Sequence, residues 1–209
     1  MREKEIAKIL LSIKAVSLNP ENPYTWSSGM KSPIYCDNRL IMSSPEERKT
    51  VIEIFTSYIK EHFSEVEVVA GTATAGIPHA AWIADHLGIP MIYVRSSSKG
   101  HGKQNRIEGK LETGKKVLVI EDLISTGGSS IEAAESVKEA GGSILGICSI
   151  FTYELAAAKA AEQEAGYPLK SLTTYSTLID VAAENNMITE KDLYLLQEWQ
   201  KNPKTWSSK

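Results

Sequence analysis

Apolar positions along the chain follow two rhythms. In "MREKEIAKILLSIKAV", Ile6, Ile9, Leu10 and Ile13 share one helical face, which predicts an amphipathic N-terminal helix. A stretch rich in proline, asparagine and serine follows, "NPENPYTWSSGMKSPIYCDNR", with β-like pieces near Tyr24–Trp26 and Ile34–Cys36. Ser44, Pro45 and Glu47 then supply an N-cap, a proline at the first helical position and a capping-box glutamate. That spacing predicts a helix from Ser44 to about His62. Beyond it the pattern alternates: strand "VEVVAG", helix "GIPHAAWIADHLG", strand "IPMIYV", a long polar loop, strand "KVLVI", helix "SSIEAAESVKEAGG" and strand "SILGICSI". An alanine-rich helix runs on to about Ala165. Continuous apolar strands separated by helices predict a parallel sheet covered on both faces, which binds ligands at the carboxyl ends of its strands.

Length and charge narrow the picture. The 209 residues suit one domain, and neither a linker nor an internal repeat divides them. A net charge of −3 gives no general drive toward nucleic acid or an anionic membrane. Lys14 breaks the first apolar run and no small-residue cleavage site follows, so that run is not read as a signal peptide. No run of about 18 apolar residues suggests a membrane span. Cys36 and Cys148 lie far apart and form no CxxC pair, which reads as two free thiols in a reducing cytoplasm. The histidines at 62, 79, 86 and 101 make no HExxH, and His79 and His86 share a helix face with no third ligand near them in sequence. There is no GxxxxGK[ST], and "GTATAGIP" is not GxGxxG, so neither a P-loop nor a dinucleotide fold is supported.

The chemistry concentrates in "VLVIEDLISTGGSS", residues 117–130. A buried strand runs into two carboxylates, then into a hydroxyl- and glycine-rich turn that opens a helix, where free N–H groups and the helix dipole favour an anion. Gly127 and Gly128 let backbone approach closely, while Ser125, Thr126 and Ser129 add hydroxyl donors. Glu121 and Asp122 would repel a bare phosphate. They suit a ligand that also carries sugar hydroxyls or develops positive charge, as a phosphorylated ribose does at its anomeric carbon.

This stretch resembles the phosphoribosyl-diphosphate (PRPP) signature of the type I phosphoribosyltransferases. The resemblance implies a type I phosphoribosyltransferase α/β fold, with a central mostly parallel sheet flanked by helices and a small N-terminal hood. Glu121 and Asp122 would then hold the ribose hydroxyls, and Leu123, Ile124, Ser125, Thr126, Gly127, Gly128 and Ser129 the 5-phosphate. "RSSSKGHGKQNRIEGK", residues 95–110, carries five basic residues and a histidine against one acid. Its Arg95, Lys99 and His101 resemble the lid of the orotate phosphoribosyltransferases, "SSGMKSPIYCDNR" resembles their hood, and "GTATAGIP" takes the place of their diphosphate loop. The chain is most similar to the Gram-positive bacterial members, and the similarity implies a hood of about residues 1–42 plus a C-terminal segment, over a PRPP-binding core of about 43–165.

The resemblance further implies a transfer from PRPP to orotate. Lys99, His101 and Asp122 would be catalytic, Ala73 and Thr74 would meet the diphosphate across a cis peptide bond, and Mg²⁺ would be held mainly through PRPP. Ser125 and Tyr35 would contact the base. Relatives carry lysines where this chain has Ser96, Ala75 and Ser27, and an arginine for which "FTYELAAAK" has no counterpart. The lid must therefore supply more of the positive charge, and Arg39 or the hood backbone is the candidate to meet orotate's carboxylate. A homodimer sharing its lids across subunits is implied as well, with a cytoplasmic location. A purine or xanthine phosphoribosyltransferase and a PRPP-sensing regulator remain as alternatives on the sequence alone.

Overall fold

The structure is a computed structural model and describes residues 2–26, 29–96 and 106–206. Chain order begins with α1 (Arg2–Ser12), β1 (Val16–Leu18), β2 (Tyr24–Thr25), β3 (Lys31–Ser32), β4 (Ile34–Cys36) and a 3-10 helix (Asn38–Ser43). It continues through α2 (Pro45–His62), β5 (Val68–Thr72), α3 (Gly76–Leu87), β6 (Met91–Val94), β7 (Ile107–Glu108), β8 (Lys116–Ile124) and α4 (Gly128–Glu139). β9 (Ser143–Thr152), α5 (Ala156–Ala165), β10 (Leu169–Thr174), α6 (Tyr175–Glu184) and α7 (Glu190–Lys201) complete it.

Six strands form the central sheet in the order β10-β9-β8-β5-β6-β7. All pairs are parallel except β6 with the short edge strand β7. Successive side chains of β8 serve opposite cores, as strand geometry requires. Val117 and Val119 pack toward α4, whereas Leu118 and Ile120 join the larger core built with α1, α2, α3, α6 and α7. Both faces are thus covered, and a continuous apolar strand is the consequence.

Two local expectations are corrected. The buried stripe of α1 is Ile6, Ala7, Leu10 and Leu11, with Ile9 and Ile13 only partly buried, because the helix lies against both α6 and β10. Ser44 stands at the N-cap of α2 and Pro45 opens the helix, but no capping box forms. The Ser44 N–H that Glu47 would need already donates to the Ile41 carbonyl at 3.1 Å, closing the 3-10 helix before it.

Residues 166–206 add β10, α6 and α7, which lie beyond the predicted elements. Their local signals are strong. Thr174 caps α6, and Thr189 with Asp192 forms a complete capping box on α7. The last helix carries Trp199, fully buried, whose indole Nε1 donates to the Lys31 carbonyl at 3.2 Å. A segment 168 residues away in sequence is thereby tied to the small antiparallel pairs β1–β4 and β2–β3 near the N-terminus. No helix among the described residues is long and apolar enough to cross a membrane.

Candidate active site

β8 outruns its neighbour on one side. β5 pairs with it only as far as Gly71 opposite Ile120, while β9 follows it to Ile124 opposite Thr152. Beyond Ile120 one edge of β8 is therefore left to side chains and loops. Asn38, fully buried, fills that role: its Nδ2 donates to the Asp122 carbonyl at 2.7 Å, and its Oδ1 accepts from the Cys36 thiol at 3.3 Å.

The two acids stand where the expected strand end was, but inside a longer strand. Glu121 is 7% exposed and Asp122 is half-buried. The Asp122 N–H donates to Glu121 Oε1 at 3.0 Å. Burial, then hydrogen bonding to Asp122 and the Asp122 charge, pushes the Glu121 carboxyl far above the carboxylate range, and burial also raises Asp122. Two carboxylates this close share a proton until something donates to them or brings positive charge.

Two helix N-termini close on this pair. α4 follows Gly127, whose φ of 84° suits glycine and whose missing Cβ leaves room for Leu169. The buried Ser130 hydroxyl donates to the Gly127 carbonyl at 3.0 Å and holds the turn. α3 begins at Gly76, where a Cβ would lie 2.4 Å from the Ile120 carbonyl oxygen, so glycine alone lets that helix sit on β8. The Ala73–Thr74 bond just before it is cis.

Between these elements is a cleft of about 270 Å³. Ala73, Thr74, Glu121, Asp122, Leu123, Ser125, Thr126, Gly127 and Ser129, all read as site residues, line it together with Ala75 and Ser130. Gly128 opens α4 beside it, whereas the Ile124 side chain turns into the α4-side core and is 2% exposed. A second, more apolar cleft of about 590 Å³ adjoins the first across Leu123, Ser125 and Thr126. Its remaining walls are Thr25, Trp26, Met30, Tyr35, Cys36 and Tyr153. Trp26 lies 4.9 Å from Tyr153 and 5.7 Å from Trp199, so the wall is backed by a buried aromatic cluster.

Arg39 does not line this second cleft. Asp37 captures its guanidinium in a two-pronged pair at 2.6 and 2.9 Å, the geometry arginine and carboxylate prefer. Arg95 also stands apart from both clefts, with Nη1 3.6 Å from Glu108 and its N–H bonded to the Arg106 carbonyl. Lys99 and His101 lie outside the described residues. Trp26, Met30, Tyr153 and Asn38 were not read as site residues. The aromatic positions of "YTW" and "FTY" were visible, but nothing local shows that they meet.

Among the described residues, His62, His79 and His86 build no site. His79 is fully buried and its pKa is lowered to about 4 by that burial, while His62 and His86 are exposed. No cluster of three metal-ligating side chains occurs among the described residues. Glu121 and Asp122 do fit a hard divalent cation that arrives on an anionic ligand, since Mg²⁺ is commonly held by one or two carboxylates plus phosphates and water. Both cysteines are free.

A phosphate-class cradle beside paired acids on a mostly parallel sheet defines the class. A family model described as "Phosphoribosyl transferase domain" matches residues 41–183, and the chain belongs to that family. It is 60% identical over 203 residues to a protein named orotate phosphoribosyltransferase from Enterococcus faecalis, covering 97% of each chain. A protein of the same name from Listeria monocytogenes is 55% identical, over 98% of each chain. Within the family, the chain therefore belongs to the orotate phosphoribosyltransferases. Among solved structures, that of orotate phosphoribosyltransferase from Aeropyrum pernix superposes with a TM-score of 0.76 at 26% identity, covering 88% of this chain and 99% of that one. The Mycobacterium tuberculosis enzyme in complex with PRPP matches with a TM-score of 0.66 at 25% identity, over 85% and 99%.

Proposed function

We propose that the chain transfers the 5-phosphoribosyl group of PRPP to orotate, giving orotidine 5-phosphate and diphosphate, in the synthesis of UMP. The observation that carries this reading is the pair of clefts meeting at Leu123, Ser125 and Thr126. One is polar, acid-bearing and flanked by helix N-termini, and the other is aromatic and sized for a flat base.

The 5-phosphate takes the free N–H groups at the start of α4 with the hydroxyls of Ser125, Thr126 and Ser129. Glu121 and Asp122 accept from the ribose hydroxyls. In doing so Glu121 releases to solvent the proton that burial favours there, and the charge of both acids then faces the anomeric carbon as it becomes cationic. The bond from that carbon to the diphosphate oxygen breaks, and one to the base nitrogen forms as that nitrogen loses its proton to solvent. Diphosphate leaves with the bonding electrons toward the Ala73–Ala75 loop. Mg²⁺, when bound through PRPP, neutralises charge on the diphosphate. The base lies between Tyr35 and the Trp26–Tyr153 wall, with Ser125 at its edge.

Arg95, Lys99 and His101 act from the lid on the diphosphate. We infer a homodimer whose lids close over the neighbouring subunit's cleft, a use of twofold symmetry that leaves Arg95 free to stand away from the clefts of its own chain. Residues 1–42 with the C-terminal segment serve as the hood, and residues 43–165 as the PRPP-binding core. Two free thiols suit a cytoplasmic enzyme. The test is direct: the protein is mixed with orotate, PRPP and Mg²⁺, and orotate absorbance is followed. Loss of absorbance dependent on all three is expected, and absence of turnover, or equal turnover of a purine, would overturn the reading.

A further inference from the structure

We infer that Lys31 is the specificity-determining residue that pairs with the carboxylate of the base, an assignment that rests on the reading above. Among the described residues, no cationic side chain lines the apolar cleft. A carboxylated base cannot leave its charge against such walls uncompensated, so the charge must be met at the rim. Residues 24–43, which form one side of the cleft, hold two cations, Lys31 and Arg39. Arg39 is already neutralised by both oxygens of Asp37. Lys31 forms no ion pair among the described residues. Instead its Nζ donates at 2.7 Å to the neutral hydroxyl of Thr25, and Thr25 lines the cleft.

The position is built rather than incidental. Thr25 and Lys31 face each other as cross-strand partners of the β2–β3 pair, which brings their side chains to the same side. The Lys31 backbone is anchored from the opposite direction, its carbonyl accepting from the buried indole of Trp199. A fixed backbone and an unspent, exposed ammonium make a cation that can exchange a hydroxyl acceptor for a carboxylate without breaking an ion pair. The lysine stem is long and rotatable, so this needs no movement of the strand.

The test compares orotate with its uncharged carboxamide analogue. Binding to the PRPP-free and PRPP-loaded enzyme is read from the intrinsic tryptophan fluorescence, to which Trp26 in the cleft wall contributes, and KM values are measured for orotate and PRPP. Lys31→Met is expected to weaken orotate by about 10- to 100-fold, the worth of a hydrogen bond to a charged group, while leaving the carboxamide and the PRPP KM unchanged. Lys31→Arg should restore most of the preference for the acid. Thr25→Val, which removes only the holding hydroxyl, should shift the same ratio in the same direction by less, and it keeps the proposal testable should Lys31→Met not fold. Equal losses for acid and amide, or an unchanged ratio in every variant, would overturn the role of Lys31 while leaving the enzyme assignment intact. A wild-type protein that turns over no orotate would instead bring down both.

Discussion

Gly76→Ala tests whether the diphosphate loop is placed by the packing of α3 on β8. The added methyl would stand 2.4 Å from the Ile120 carbonyl oxygen and 3.4 Å from the Glu121 Cα. To bring the first contact from 2.4 Å even to 3.0 Å the helix start must retreat by about 0.6 Å, because both neighbours are sheet backbone and neither can rotate away. Alanine is the better helix former by about 1 kcal/mol. Overpacking against backbone costs about 1–3 kcal/mol, so the clash wins and the variant should melt several degrees lower. The same retreat carries Ala73, Thr74 and Ala75 away from Glu121 and Asp122. Misplacement by about 1 Å can cost roughly 100-fold in rate, so a loss of roughly tenfold in kcat/KM for PRPP is expected here. Orotate KM should change less, since its cleft has no wall from this loop. Steady-state kinetics by orotate absorbance, with thermal melts, measure both. A variant with unchanged melting temperature and kcat/KM for PRPP within a factor of two would refute the packing argument.

Asp122→Asn keeps the shape but removes the charge facing the ribose, so kcat should fall by about 100-fold or more with the fold intact; near-normal turnover would remove Asp122 from catalysis. Glu121→Gln addresses the buried acid. Because the folded, ligand-free state holds its proton up to about pH 9, stability from this group is full below the ordinary carboxylate pKa and is lost as pH rises toward 9. The wild-type melting temperature should therefore decline across that window, and Glu121→Gln should flatten the decline; an identical slope in both would show that Glu121 is not the cause. Lid sharing is tested with Lys99→Ala and Asp122→Asn chains, each nearly inactive alone, unfolded together and reassembled. Half the dimers should be hybrids with one intact site each, restoring about a quarter of wild-type activity. No recovery, with hybrids verified by native mass spectrometry, would show the lid to act on its own subunit.

Features governed by local rules were legible along the chain. Strand and helix order from residue 44 to 165, apart from the two-residue edge strand β7 inside the expected polar loop, followed from hydrophobic rhythm, since burial on both faces of a parallel sheet dictates continuous apolar strands. The phosphate turn was legible for the same reason: glycines, hydroxyls and a helix start act on one another within six residues. The capping box of α7 was equally local, and β10, α6 and α7 could have been read from it and from the cap at Thr174.

The way distant segments complete the site depends on packing between elements far apart in the chain. The partner of the Asp122 carbonyl is Asn38, 84 residues earlier, because β5 stops short of β8 and leaves that edge open. The aromatic cleft unites Trp26 with Tyr153 and sets Trp199 behind them, three positions whose own neighbourhoods give no hint that they meet. Arg39 looked available in sequence as a cation for the base, yet its reach is taken by Asp37 two residues away, while Lys31 meets a hydroxyl and no carboxylate among the described residues. Composition and spacing show which charges a chain possesses; which of them remain unspent depends on the contacts that folding makes first.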